Sequence, residues 1–278
     1  MNKNSIIYYE DELNEEFSEA VIVPRTVDAT YVYHHKSLLW ETLTFCIQNI
    51  FSIPIKFLYL KLKFKHQYIG KEKLKGYQGK GYFVYANHTQ AFADTFITSM
   101  AMYPYKTNFL IVNPENVSIK GLGNFTQMLG AIPIPTNRNG MKNFLAEVRR
   151  RIGQGKGITI YPEAHIWPYY TKIRPFKNVS FRYPIELDVP SFCITNTYQA
   201  YGKNKDKVKM VSYVDGPFFA KETGGMQEKK EDLRNQIYEK MVERSKNSNF
   251  EYVKYIKKSA AGDTSSARDT LSKRDTSA

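Results

Sequence analysis

Two textures of hydrophobic and polar positions alternate along this chain. Short unbroken apolar runs read as buried strands: Tyr82–Tyr85 (YFVY), Asn108–Val112 (NFLIV) and Gly157–Tyr161 (GITIY). Ser191–Tyr198 and Val208–Val214 read the same way, and prolines keep Ala131–Pro135 short and extended. Between these runs lie stretches whose apolar residues fall three and four apart. Gly140–Gly153 places Met141, Phe144, Leu145, Val148 and Ile152 on one helical face. Glu228–Ser245 does so with Leu233, Ile237, Met241 and Val242, and Phe92–Met102 and Ser118–Leu129 complete the helical set. Strands alternating with helices predict an α/β fold: a mostly parallel central sheet flanked by helices.

The most apolar stretch precedes that alternation. Leu38–Leu62 carries Leu39, Leu43, Ile47, Ile50 and Phe51 at helical spacing, and Pro54 is expected to break it into two helices. Only 14 uncharged residues separate Glu41 from Lys56, short of the roughly 18 that a spanning helix needs. Lysines 56, 61, 63, 65, 71, 73, 75 and 80 follow or interleave. Apolar residues beside lysines suit an interfacial element, with the apolar face in the acyl boundary and ammonium groups at anionic headgroups. The expectation is therefore an amino-terminal membrane-docking helix pair; the plainer alternative is two ordinary helices packed on the domain.

Four segments follow: residues 1–35, an irregular amino-terminal arm; 36–65, the interfacial helix pair; 66–258, the main domain; and 259–278, a disordered tail. The tail has one leucine as its only large apolar residue. The 278 residues suit one large domain, and 42% hydrophobic residues are enough for a core. Net charge is +13, unevenly spread: residues 1–20 carry six acids and one lysine. The body is thus strongly basic and expects a polyanion, whether nucleic acid, an anionic membrane or a phosphorylated substrate. Lysine excess beside the apolar segment favours the membrane over nucleic acid. Two cysteines, Cys46 and Cys193, far apart in apolar contexts, exclude a disulfide scaffold and a cysteine-rich zinc module. No acid/histidine cluster has metal-ligand spacing, and the acidic first twenty residues do not read as a secretory signal.

Chemistry-bearing residues sit at strand ends. Asn87-His88-Thr89-Gln90-Ala91-Phe92-Ala93-Asp94 follows the YFVY run directly. A His there lies where α/β folds place ligands, and an Asp in the next helix's first turn can hold one ring nitrogen and leave the other as a base. GAIPIPTNR (130–138) ends on Arg138, a planar fork for a phosphate; YPEAHIWP (161–168) places Glu163 after the GITIY strand. VPSFCITN (189–196) leads from a proline into a strand. Each alone has a bland reading: a satisfied strand-end His, a surface arginine, a turn acid.

Taken together and in order, these four pieces resemble the glycerolipid acyltransferase family, which includes the 1-acyl-glycerol-3-phosphate acyltransferases. Its blocks are Asn-His, four residues, then Asp; Gly-x-Ile-x-Ile ending near an Arg; a Phe-Pro-Glu-Gly-Thr-Arg type block; and a Pro leading into a strand. The resemblance implies an O-acyltransferase moving a fatty acyl group from a thioester donor, acyl-CoA or acyl carrier protein, to a lysophospholipid hydroxyl. It implies His88 as general base oriented by Asp94, with Asn87 beside them. Arg138 would grip the acceptor phosphate and Glu163 would help bind the glycerol part. No bound cofactor or metal is implied; the partners are membrane phospholipids and the acyl donor, with the protein peripheral or monotopic on the cytoplasmic face. This chain departs from the pattern twice. Five residues separate His88 from Asp94, and Ala164, His165 and Ile166 stand where the third block has Gly-Thr-Arg. His165, Arg174 or Lys177 is expected to replace the missing charge. The alternatives are a non-catalytic phospholipid-binding protein of the same fold and an acyltransferase with a different acceptor.

Overall fold

The structure, a computed structural model, describes residues 3–17, 22–118, 121–203 and 205–258. The expected disordered tail, 259–278, lies outside the described residues. In chain order the principal elements are β1 (Ser5–Tyr9), α1 (Leu38–Cys46), α2 (Ser52–Phe64), β2 (Gln67–Ile69), β3 (Tyr82–Ala86), α3 (Ala93–Met102), β4 (Asn108–Val112), α4 (Gly123–Met128), β5 (Ala131–Pro133), α5 (Met141–Gly153), β6 (Gly157–Ile160), α6 (Arg182–Glu186), β7 (Ser191–Tyr201), β8 (Lys207–Phe218), α7 (Met226–Ser245) and β9 (Val253–Lys257).

Seven strands form the central sheet in the order β2-β8-β7-β3-β6-β4-β5. The run from β7 to β5 is parallel, and β8, antiparallel to β7, carries β2 at the edge. This is the mostly parallel α/β layering the alternation predicts. Strand β3 lies at the centre, buried on both faces, so its side chains serve two cores by turns. Phe83 and Tyr85 pack with Phe144 and Val148 of α5 and Leu233, Ile237 and Met241 of α7. Tyr82, Val84 and Ala86 pack with Ile97 and Ala101 of α3 and Leu60 and Phe64 of α2. The carboxyl ends of the parallel strands share one edge of the sheet.

The predicted helix pair is a single continuous helix from Leu38 to Phe64. A π-helical turn, Ile47–Phe51, joins α1 to α2. There the Ser52 N–H reaches back five residues to the Ile47 carbonyl, and the Ser52 hydroxyl donates to the Gln48 carbonyl at 2.9 Å. The shifted bonding lets Pro54, in the first turn of α2, sit in the helix without breaking it. The resulting 27-residue helix is long and apolar enough to cross a membrane, by length and composition only. Its faces are inverted relative to a water-soluble helix. Gln48, Ser52 and Lys56 point inward, with Lys56 Nζ donating to Ser99 Oγ of α3 at 2.9 Å; burial pushes the Lys56 pKa down to about 8. Outward face Leu39, Phe45, Phe51, Ile55 and Leu62, each more than half exposed.

The amino-terminal arm is less irregular than expected. β1 pairs in parallel with β9, making a second, two-stranded sheet. Tyr9 and Phe17 pack edge-on against Trp167, and Tyr255 stacks on it. The acidic arm is thereby fixed to the loop after β6.

At the other flank, Asp215 of β8 is bonded by Arg244 of α7 (2.7 and 2.9 Å) and by Lys73 (2.7 Å). Burial raises this carboxyl, but the two cations outweigh it and hold it below its usual value. A carboxyl with a lowered folded-state pKa contributes stability above its unfolded value and loses it as pH falls through the folded one. Asp215→Asn should therefore cost about 1.5–3 kcal/mol at neutral pH. Urea titrations of the two proteins should converge as the pH drops below about 4.

Candidate active site

The loop from Asn87 to Phe92 leaves the carboxyl end of β3, and α3 begins at Ala93. Asp94 is fully buried in the first turn of α3, and its Oδ2 lies 3.0 Å from His88 Nδ1. The five-residue separation is thus spanned. The same oxygen accepts the Thr89 and Gln90 backbone N–H groups at 2.6 and 2.7 Å, so the extra residue forms a turn folded around the carboxylate. Oδ1 accepts from Asn196 Nδ2 at 3.1 Å. Surrounded by donors, the carboxylate acts only as acceptor, which assigns the shared proton to His88 Nδ1 and leaves Nε2 without a hydrogen bond among the described residues. The ring stacks on Tyr161 (centroids 4.3 Å, 19°) and keeps 14% of its side chain exposed.

Strand register brings the other pieces to His88. β6 lies beside β3, with Tyr85 opposite Ile160, so the segment after β6 runs next to the histidine loop. Glu163 Oε2 accepts the His88 backbone N–H at 3.0 Å, and Oε1 accepts that of Arg174 at 2.9 Å. The Arg174 guanidinium pairs with Glu163 at 3.5 Å, and both side chains are closed to solvent. Burial raises the Glu163 carboxyl, opposed by the Arg174 charge and the two backbone bonds. Neither residue presents itself to a substrate. Arg174 also lies over Trp167 and donates to the carbonyls of His165 and Glu12. Its place is inward because the arm and the β6 loop close over it, which corrects the expectation that Arg174 supplies an open cation. Glu163 likewise faces inward and anchors the histidine loop through the His88 backbone.

Asn87 is buried and clamps β3 to β7, exchanging bonds with the Asn196 backbone at 3.1 and 2.8 Å. His165 Nδ1 meets Glu16 of the arm at 3.2 Å. Lys177 is exposed on the following loop, and Arg138 is exposed just past β5. β5 lies three strands from β3 on the same edge, about 14 Å away by strand spacing. The sequence reading missed Asn196 and Ser212. Ser212 Oγ donates to Asn196 Oδ1 at 2.6 Å, which orients the amide so that its NH₂ meets Asp94. Their one signal is polar side chains inside runs that read as fully buried strands.

Ala164 adopts φ +64°, the left-handed region that favours glycine. Ala164→Gly should stabilise the protein by about 0.5–1 kcal/mol, the relieved strain less the added unfolded-state freedom, measured by urea unfolding.

A buried acid in the first turn of a helix, 3.0 Å from a strand-end histidine, is an arrangement that can hold one ring nitrogen and leave the other to act as a base. Residues 65–195 match the family model described as Acyltransferase. That segment, just under half of the chain, is similar to an acyltransferase domain. Similar solved structures include the crystal structure of the 1-acyl-sn-glycerophosphate (LPA) acyltransferase PlsC from Thermotoga maritima. It is 15% identical, with a TM-score of 0.46 over 74% of this chain and 79% of that one. No curated protein matches the chain.

Proposed function

We propose that the enzyme transfers a fatty acyl group from a thioester, acyl-CoA or acyl carrier protein, to the free hydroxyl of a lysophospholipid. The acceptor that the block order favours is 1-acyl-glycerol-3-phosphate, giving phosphatidate. The observation that carries this reading is the 3.0 Å contact between His88 Nδ1 and buried Asp94, with the other ring nitrogen open. Nε2 takes the hydroxyl proton as the oxygen attacks the thioester carbonyl carbon. The tetrahedral centre collapses with loss of the thiolate, which the imidazolium reprotonates. Asp94 holds the tautomer and stabilises the imidazolium charge. Cys193, fully buried with its thiol pKa pushed up by burial, does not serve as a nucleophile.

The inverted faces of the Leu38–Phe64 helix support membrane attachment. Its exposed large side chains would leave water for the acyl boundary, while Gln48, Ser52 and Lys56 are held by the protein. We place the enzyme on the membrane surface, peripheral or monotopic, facing the cytoplasm. With Glu163 and Arg174 closed inward, the acceptor phosphate falls to Arg138, with Lys177 as the other exposed cation of the expected set. Arg138→Gln should raise KM for 1-acyl-glycerol-3-phosphate about tenfold with kcat nearly unchanged, and leave any transfer to neutral monoacylglycerol unaffected. The testing assay supplies vesicles, 1-acyl-glycerol-3-phosphate and each thioester in turn, and measures phosphatidate. Product from neither donor would sink this acceptor assignment.

A further inference from the structure

A cavity of about 450 Å³ lies away from His88. It opens at the opposite, amino-terminal edge of the sheet. Thr107 precedes β4, and Gln154 and Lys156 precede β6, and all three line it. Strand length alone separates this edge from the histidine, about 16 Å for five residues. The cavity's outer wall is the start of the apolar helix.

Three cations converge there: Arg150, Arg151 and Lys156. Two acids face them. Glu147 is shared between the two arginines, at 2.8 Å and 2.6 Å, and Glu41 stands exposed near the mouth beside His34. Lys156 Nζ makes no hydrogen bond among the described residues, so the cluster keeps net positive charge. Burial and then the neighbouring Arg151 charge push the Lys156 pKa down. The wall opposite is polar and incomplete. Gln48 is more than nine-tenths buried, yet its Nε2 has no partner, and the Thr44 hydroxyl is also buried without one. Trp40, stacked with His35 at 4.0 Å, and the exposed Phe45 join the cavity to the helix's apolar face.

We propose that this cavity is a second, non-catalytic site that binds the phosphoryl group of an anionic phospholipid headgroup. The cations take the phosphate oxygens, while the lipid's chains run along Phe45 and the outer helix face. The enzyme then has a lipid grip at one end of the helix and its reacting histidine at the other. The site does not depend on the reading of His88, and His88→Ala should bind vesicles as the wild type does.

The test compares binding of the full chain to phosphatidylcholine vesicles with and without phosphatidylglycerol. Arg150→Gln/Lys156→Gln should weaken binding to the anionic vesicles about thirtyfold, and Lys156→Gln alone, which unpairs nothing, about fivefold. Lys142→Gln/Arg149→Gln removes the same charge from exposed positions of the same helix and should change binding less than about twofold. Equal losses in both double variants would overturn the site in favour of diffuse attraction. A titration with inorganic phosphate and glycerol 3-phosphate separates the sources. Tight binding of these, sensitive to Lys156→Gln while vesicle affinity is not, would replace the lipid with a soluble phosphate and overturn the assignment.

Discussion

Replacing His88 with alanine should lower kcat about 10²–10⁴-fold while the protein stays folded and bound to vesicles. The substitution removes the ring and leaves the backbone N–H, so the bond to Glu163 survives. Asp94 keeps the Thr89, Gln90 and Asn196 donors, and its burial remains satisfied. What disappears is the base and its stack on Tyr161. The measurement is single-turnover acyl transfer with both substrates saturating, alongside a thermal melt. A variant that transfers at the wild-type rate would remove His88 from the chemistry. A variant that is dead and also unfolded would contradict the bonding just described.

The second large effect is on stability. Glu163→Ala leaves the Arg174 guanidinium buried without its carboxylate and frees the His88 and Arg174 N–H groups together. Breaking a buried pair from one side costs about 3–5 kcal/mol. The penalty comes mostly from the stranded charge, so Glu163→Ala/Arg174→Met should recover part of it. Urea unfolding of both variants decides this: equal destabilisation would mean that the pair is not what holds the loop. Activity should fall in both, because the histidine loop loses its anchor either way.

The two tests separate roles that the amino-acid pattern merges. In the sequence, Glu163 looks like His88: an ionisable residue just past a buried strand. The strands themselves are legible because the apolar runs of β3, β4, β6 and β7 and the helical spacing of α5 and α7 are local patterns. Short strands escape such reading. β2 has three residues, and β1 and β9 are stable only through each other, some 250 positions apart. The helix break expected at Pro54 fails because the π-helical turn reroutes the bonding that a proline would interrupt. The inverted faces of that helix are invisible in composition. They depend on which residues find partners inside, such as Lys56 on Ser99.

The sequence by itself determined the layered α/β order, the strand-end position of His88 and Asp94, and the resemblance to an acyltransferase family. Those follow from local periodicity and from residue types at short spacing. Tertiary structure alone decided that five intervening residues still bring Asp94 to the imidazole, because the extra residue folds its N–H groups onto the carboxylate. It also decided that Glu163 and Arg174 face inward. An acidic arm 150 residues earlier closes over the β6 loop, and an ion pair sealed from water anchors a backbone instead of meeting a substrate.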